Sequence, residues 1–196
     1  MDKKFLVALG VIVWLVLGVA GISFGAAVAT DTPQTYKVSI TKLEISNDGG
    51  STYITLFEGA SDYIDIASVS AGQAAGNFFA GLSVPDGTYT HVRATPSATF
   101  KMKGSVSYSG TTYYTIAGGS TSITASDMVE ATINVQGTMT GTAQTLSPAI
   151  TVKNGVANHK VRIEFNVSNT LGLWLTGAGP IYTFYPEEPS VTVSVQ

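Results

Sequence analysis

The chain has 196 residues, a net charge of −3, no cysteine, and charged side chains at only 12% of its positions. So few Lys and Arg residues argue against a nucleic-acid-binding surface. The absence of cysteine excludes disulfides, thiolate metal sites and thiol catalysis.

The N-terminal segment 1–29 has the layout of a secretory signal. Lys3 and Lys4 precede an uncharged, apolar run that ends in small residues. The stretch Phe5–Ile22 would also span about 27 Å as a helix, close to the thickness of a membrane core. The segment is therefore either a cleaved signal peptide or a retained signal-anchor helix, and both place residues 30–196 outside the cytoplasm, secreted or at the cell surface.

Alternating apolar and polar residues, which are typical of half-buried strands, dominate the chain after a short linker at 30–35. Segment 70–81 is rich in Ala and Gly and is predicted to form a helical turn instead. Many short strands separated by turn residues predict one antiparallel sandwich or barrel at 36–196. The predicted strands are Tyr36–Ser46, Thr52–Phe57, Asp62–Ile66, Thr88–Ala94, Thr99–Tyr108, Thr112–Ile116, Val129–Val135, Ile150–Val152, His159–Val167 and Val191–Val195.

The first two of these strands are predicted to form a hairpin. They flank an Asn-Asp-Gly-Gly turn at 47–50, whose residues tolerate positive φ angles. Within the first strand, Val38 and Ile40 are out of phase with Leu43 and Ile45. A bulge near Thr41–Lys42 would bring both pairs to the core.

Aromatic residues supply the candidate binding site. Tyr108, Tyr113 and Tyr114 flank a Ser-Gly turn, and only one of the two adjacent tyrosines can share a face with Tyr108. They could form a platform for a glycan or a contact with a partner, or they could be ordinary cross-strand packing. Three further aromatic residues occur late in the chain, namely Trp174, Tyr182 and Tyr185, and Trp174 lies between two leucines, which favours a position in the core or at its edge.

No arrangement of residues predicts catalysis. His91 and His159 have no Ser–Asp partner legible in the sequence. Asp62 and Asp65 are three residues apart and would face opposite sides of a strand. The pair at 187–188 lies in a Pro-flanked turn, where acidic residues are usually solvated. We therefore expect a protein that is not an enzyme.

We expect no cofactor, and calcium is the strongest alternative to that expectation. Asp48 and Asp86 lie in predicted turns, but no D-x-D-x-D spacing occurs, and the turn-forming role of Asp accounts for both. Asn166, followed by Val and Ser, fits the acceptor pattern for N-glycosylation.

Two stretches resemble a known family. Residues 81–93, with Pro85, Gly87 and Tyr89 leading into Val92-Arg93, resemble the turn-to-strand motif of exported prealbumin-like modules. Together with the region up to residue 188, they are similar to a family of secreted prokaryotic domains of unknown function. The resemblance implies a single β-sandwich with Greek-key-like, prealbumin- or immunoglobulin-like connections and no assigned catalytic residues.

The sequence thus favours an exported, non-catalytic structural or adhesive subunit that associates with itself or with other surface proteins. Strand addition through Val191, Val193 and Val195, or through segment 30–40, is the expected route to filaments. A carbohydrate-binding module is the alternative, with a polysaccharide as partner, and an enzyme is disfavoured. Membrane contact is expected only through residues 5–25, if these are retained.

Overall fold

The computed structural model describes residues 26–68, 82–176 and 181–195, and nearly all of the structure is β. The strands are β1 Ala29–Asp31, β2 Thr35–Val38, β3 Ile40–Ser46, β4 Ile54–Glu58, β5 Ile64–Asp65, β6 Gly87–Pro96, β7 Thr99–Lys103, β8 Ser105–Tyr108, β9 Thr111–Thr115, β10 Thr121–Ser122, β11 Ala131–Asn134, β12 Ala143–Lys153, β13 Val156–Ala157, β14 Val161–Asn166, β15 Leu171–Thr176, β16 Ile181–Pro186 and β17 Ser190–Val195. Two 3-10 turns lie at Ala117–Gly119 and Ala125–Asp127. The predicted all-β class is confirmed.

The strands form five antiparallel sheets. The largest has the order β13-β12-β6-β3-β4, and the next has the order β11-β7-β2-β5. Two three-stranded sheets have the orders β1-β15-β16 and β10-β9-β8, while β14 pairs with β17 alone. Within the described ranges, no helix is both long and apolar enough to cross a membrane. The predicted signal or anchor helix and the predicted helical turn at 70–81 lie outside the described residues, apart from 26–29.

One antiparallel pair of chain segments joins the two largest sheets. β2 continues into β3, and β6 continues into β7, so each segment leaves one sheet and enters the other. At the bend, the Ser97 amide donates to the Ser39 carbonyl over 2.8 Å. The β3–β6 register shifts between Ile40 and Lys42, which leaves Thr41 as the extra residue. The predicted bulge is therefore confirmed.

The bulge explains how two out-of-phase apolar pairs both reach the interior. A first core lies on the five-stranded sheet and includes Ile40, Leu43 and Ile45. A second core includes Val38 and belongs to the four-stranded sheet together with β8, β15 and β16. Its buried residues are Tyr36, Val38, Ile66, Phe100, Met102, Val106, Ala131, Ile133, Val135, Met139, Leu171, Leu173 and Phe184.

The predicted hairpin between β3 and β4 is also confirmed, with Ile45 opposite Ile54. Gly49 and Gly50 adopt φ angles of 77° and 87°, which glycine reaches without strain. The Asp48 carboxylate accepts hydrogen bonds from the Ser51 and Thr52 amides and closes the turn. The local sequence therefore specifies this element completely.

Several strands were not predicted from the sequence. These are β1, β10, β13, β15, β16 and the first part of β12. β1 lies where the end of the signal and the linker were expected, and its Ala29 pairs with Leu173 of β15. Three of the six, β1, β10 and β13, have only two or three residues, so they carry too little alternation to be recognised.

Candidate functional site

The predicted tyrosine platform is divided between two faces. Tyr108 and Tyr113 both lie against Tyr182, with ring centroids 5.9 Å and 4.8 Å from it, and all three pack on the second core. Desolvation of the phenol and the neighbouring tyrosines raise the pKa of Tyr182. Tyr114, next to Tyr113 on β9, takes the opposite face and stands opposite Ser105 and Ser122. The structure thus brings two of the three together, as part of the packing of the core edge.

A different, half-buried aromatic pair lies on the β1–β15–β16 sheet. Trp174 and Tyr185 lie on one face of this sheet, with ring centroids 5.4 Å apart and planes inclined by 49°. They line a cavity of about 290 Å³ that we call the aromatic groove. Its other lining residues are Gly118, Gly119, Thr132, Ile133, Asn134, Thr176, Thr183 and Phe184.

The indole of Trp174 is held by Glu187. Its Nε1–H donates to Glu187 Oε1 over 2.8 Å, and the Glu187 amide donates to the Thr170 carbonyl over 2.8 Å. Gly172 provides the space for this bond. A Cβ at position 172 would come within 2.7 Å of Trp174 Nε1, and closer still to Glu187 Oε1.

A charged cluster occupies the face of the five-stranded sheet opposite the first core. Glu44 accepts from Lys42 over 2.9 Å and from Arg93 over 2.8 Å, and only 7% of its side chain is exposed. Burial acts to raise the pKa of Glu44, but the hydrogen bonds from Arg93 and Lys42 outweigh it and lower the pKa. The Arg93 guanidinium also stacks 3.9 Å from the Tyr53 ring. Such a cluster holds neighbouring strands in register, and the charged groups that act on its carboxylate in the described part of the chain are Lys42 and Arg93.

The histidine of this region is engaged by hydroxyl groups. His91 Nδ1 lies 2.9 Å from Thr90 Oγ1, and Nε2 lies 3.2 Å from Thr145 Oγ1. The sequence analysis found no Ser–Asp partner for it, and the structure places threonines at both ring nitrogens. His159 lies in the segment between β13 and β14.

The two candidate calcium ligands bind backbone amides instead. Hydrogen bonds from Thr52 and Ser46 lower the pKa of Asp48, and those from the Asn154 and Gly155 amides lower the pKa of Asp86. Asp86 thereby fastens the Pro-Asp-Gly turn before β6 to the β12–β13 turn. Among the residues that the structure describes, no three His, Asp or Glu side chains are grouped as metal ligands.

The C-terminal segment forms the second candidate site. In β17, Val191, Val193 and Val195 stand opposite Phe165, Ile163 and Val161 of β14. Phe165 and Val195 pack against the first core. Asn166, the predicted glycosylation acceptor, lies exposed at the end of β14, where its side-chain oxygen accepts from the Ser168 amide over 3.0 Å.

Sequence reasoning did not identify the groove, although it noted both of its aromatic residues. Trp174 was expected in the core or at its edge because leucines flank it, and it is half-buried, with Leu173 buried and Leu175 51% exposed. The alternation of Leu171, Leu173 and Leu175 was the available signal, since it puts Trp174 on the other face. No family model matches the chain, and no curated protein or solved structure matches it either.

Proposed function

We propose that this chain is an exported, non-catalytic surface subunit that associates with copies of itself by exchanging its C-terminal strand. The observation that carries this proposal is the position of β17. It follows every other strand that the structure describes, it pairs with β14 and with no other of those strands, and residues of this two-stranded sheet pack against the first core.

Such a strand can be exchanged because the identical ladder forms whichever copy supplies it. All six register pairs of β14, from Val161 to Asn166, would be made equally by β17 of a neighbour. The exchange leaves the apolar contacts of Val195 and Phe165 intact, so it costs little beyond the entropy of association. Repeated from copy to copy, it builds a filament.

We further propose that the five sheets make one sandwich-like domain. Phe165 packs against both cores, and the continuous segments β2–β3 and β6–β7 pass from one large sheet to the other. The uncharged run 5–29 that follows Lys3 and Lys4 supports export, and the lack of cysteine is compatible with any redox environment outside the cytoplasm.

Cysteine pairs test the exchange directly, because the natural chain has no cysteine. Asn166 and Ser190 are exposed and opposite each other in the β14–β17 ladder. We would co-express a chain carrying Asn166→Cys with a differently tagged chain carrying Ser190→Cys. Strand exchange predicts disulfide-linked mixed dimers, which denaturing electrophoresis without reductant would detect.

The β8–β9 hairpin supplies the matched control. Ser107 and Thr112 are opposite each other there, and no exchange is expected between neighbouring strands of a tight turn. A mixture of Ser107→Cys and Thr112→Cys chains measures the background from random collision. Mixed dimers at that background, together with a monomeric mass by light scattering, would refute the proposed function.

A further inference from the structure

We propose that the aromatic groove binds one sugar ring of a neutral polysaccharide, with Trp174 and Tyr185 as the stacking surface. This site is separate from the β14–β17 ladder and does not depend on strand exchange. It also differs from the tyrosine platform that the sequence suggested.

The geometry of the two rings suits a sugar. An aromatic face carries partial negative charge and attracts the partly positive C–H groups of a pyranose. Trp174 and Tyr185 pack against each other at a tilt of 49° and both line the groove, so together they offer one continuous aromatic surface to one face of a sugar ring. Trp174 is fixed in this orientation by Glu187, so little rotamer entropy is lost on binding.

The polar lining suits sugar hydroxyls, which both donate and accept. Thr183 donates its hydroxyl hydrogen to the Gly119 carbonyl over 3.0 Å, and its oxygen lone pairs can then accept from a ligand. The oxygen of Asn134 accepts from Thr99 over 2.8 Å, which leaves the amide NH₂ to donate. Thr132 and Thr176 add two more hydroxyls at the exposed rim.

The charge and size of the groove define the ligand further. None of the described residues that line the groove is charged, which favours a neutral sugar over a uronate or a sulfated one. Its volume of about 290 Å³ is at the lower limit of the ~300–1,000 Å³ that is typical of small-molecule pockets. This volume fits one sugar ring inside the groove, with the neighbouring sugar rings of the polysaccharide outside it. A proline-rich peptide has no backbone N–H to donate to the threonine oxygens of the groove, whereas a sugar hydroxyl both donates and accepts.

Intrinsic fluorescence can report on the site itself. The chain has two tryptophans, and replacing the other one by Trp14→Phe leaves Trp174 as the sole indole emitter. We would titrate this full-length protein, in a detergent without a sugar headgroup, with tetrasaccharides of glucose, mannose and N-acetylglucosamine up to about 10 mM. We expect a saturable change in Trp174 emission with at least one of them.

Two substitutions and one control localise the binding. Thr132→Tyr fills the groove from an exposed position and should weaken binding at least tenfold. Asn134→Ala removes one hydrogen-bonding group and should weaken it about 5- to 10-fold. Tyr114→Ala removes an aromatic ring away from the groove and should leave the affinity unchanged. An unaltered melting temperature in the Thr132→Tyr variant shows that it is folded.

Three results would overturn the proposal. The first is a folded protein whose Trp174 emission responds to none of the tetrasaccharides. The second is sugar binding that persists in Thr132→Tyr, and the third is saturable binding of a polyproline decapeptide alone. Strand exchange is detected by disulfide-linked dimers and sugar binding by Trp174 fluorescence. The failure of one proposal is therefore distinguishable from the failure of the other.

Discussion

Glu44 shows how burial changes the role of one residue. It lies on the face of β3 opposite Leu43 and Ile45, where alternation puts polar side chains in water. The structure leaves it only 7% exposed because Lys42 and Arg93 lie against its carboxylate and Arg93 stacks on Tyr53. The ion pairs therefore form in a partly desolvated place, where losing one partner is costly.

The substitution Glu44→Gln should lower stability by about 1–3 kcal/mol at pH 7, because it leaves two cationic groups without their partner. The pKa of Glu44 is lowered in the folded protein, so its contribution is present above the ordinary value of 4.5 and is lost as the pH falls through the folded-state value. The difference in the free energy of unfolding between wild type and variant should therefore become smaller in strong acid. Urea unfolding across pH 3–7 would measure the free energy of unfolding of both proteins, with a variant of the exposed Asp62, Asp62→Asn, as control. A difference between wild type and Glu44→Gln that does not change with pH would contradict the prediction.

At the level of elements, β1 links the predicted signal segment to the fold. The Val28 amide donates to the Leu173 carbonyl over 2.8 Å, and Val28 and Ala29 both pack against the second core. A cleavage after Ala29, at the end of the predicted signal 1–29, would remove these contacts. Small residues just before Val28 provide an earlier place for a signal peptidase.

We therefore expect the exported protein to begin at or before Val28. A chain that starts at Thr30 should be less stable by about 1–2 kcal/mol than one that starts at Ala26, since it loses apolar burial and a backbone hydrogen bond. Intact mass spectrometry of the exported protein would identify the terminus, and thermal unfolding would compare the two chains. A natural terminus at Thr30, with no loss of stability, would refute this.

In the whole molecule, two cores share the same backbone segments. Leu43 belongs to the first core and Phe100 to the second, but the segments that carry them run through both large sheets. Phe165 also touches both cores. Disorder in one core would therefore remove support from the other.

This coupling predicts a single unfolding transition. Leu43→Ala should cost about 2–5 kcal/mol and Phe100→Ala about 3–5 kcal/mol, and each should move the one transition to lower temperature. Calorimetry would test this through the agreement between calorimetric and van't Hoff enthalpies. Two resolved transitions, each sensitive to only one substitution, would show instead that the cores unfold independently.

The sequence by itself determined the features that depend on short-range patterns. Alternation over six or more residues revealed β14 and β17, and the phase break at Thr41 located the bulge, because one extra residue reverses the facing of every later side chain. Tyr113 and Tyr114 are adjacent in one strand, and the alternation of side chains along a strand predicted that they face opposite sides of the sheet. Export, function and the family resemblance stay predictions.

Only the tertiary structure decided which residues meet across long separations. In a regular strand Tyr89 would share a face with His91, but it lies in the first core with Val92, because the alternation of β6 breaks where its ladder with β12 is irregular. The groove joins residues from 118–119, β11, β15 and β16, and its tryptophan depends on Glu187 and on the missing side chain of Gly172. No local sequence pattern predicts that these residues lie close together, because their proximity depends on the order of strands in the sheets and on how the sheets pack.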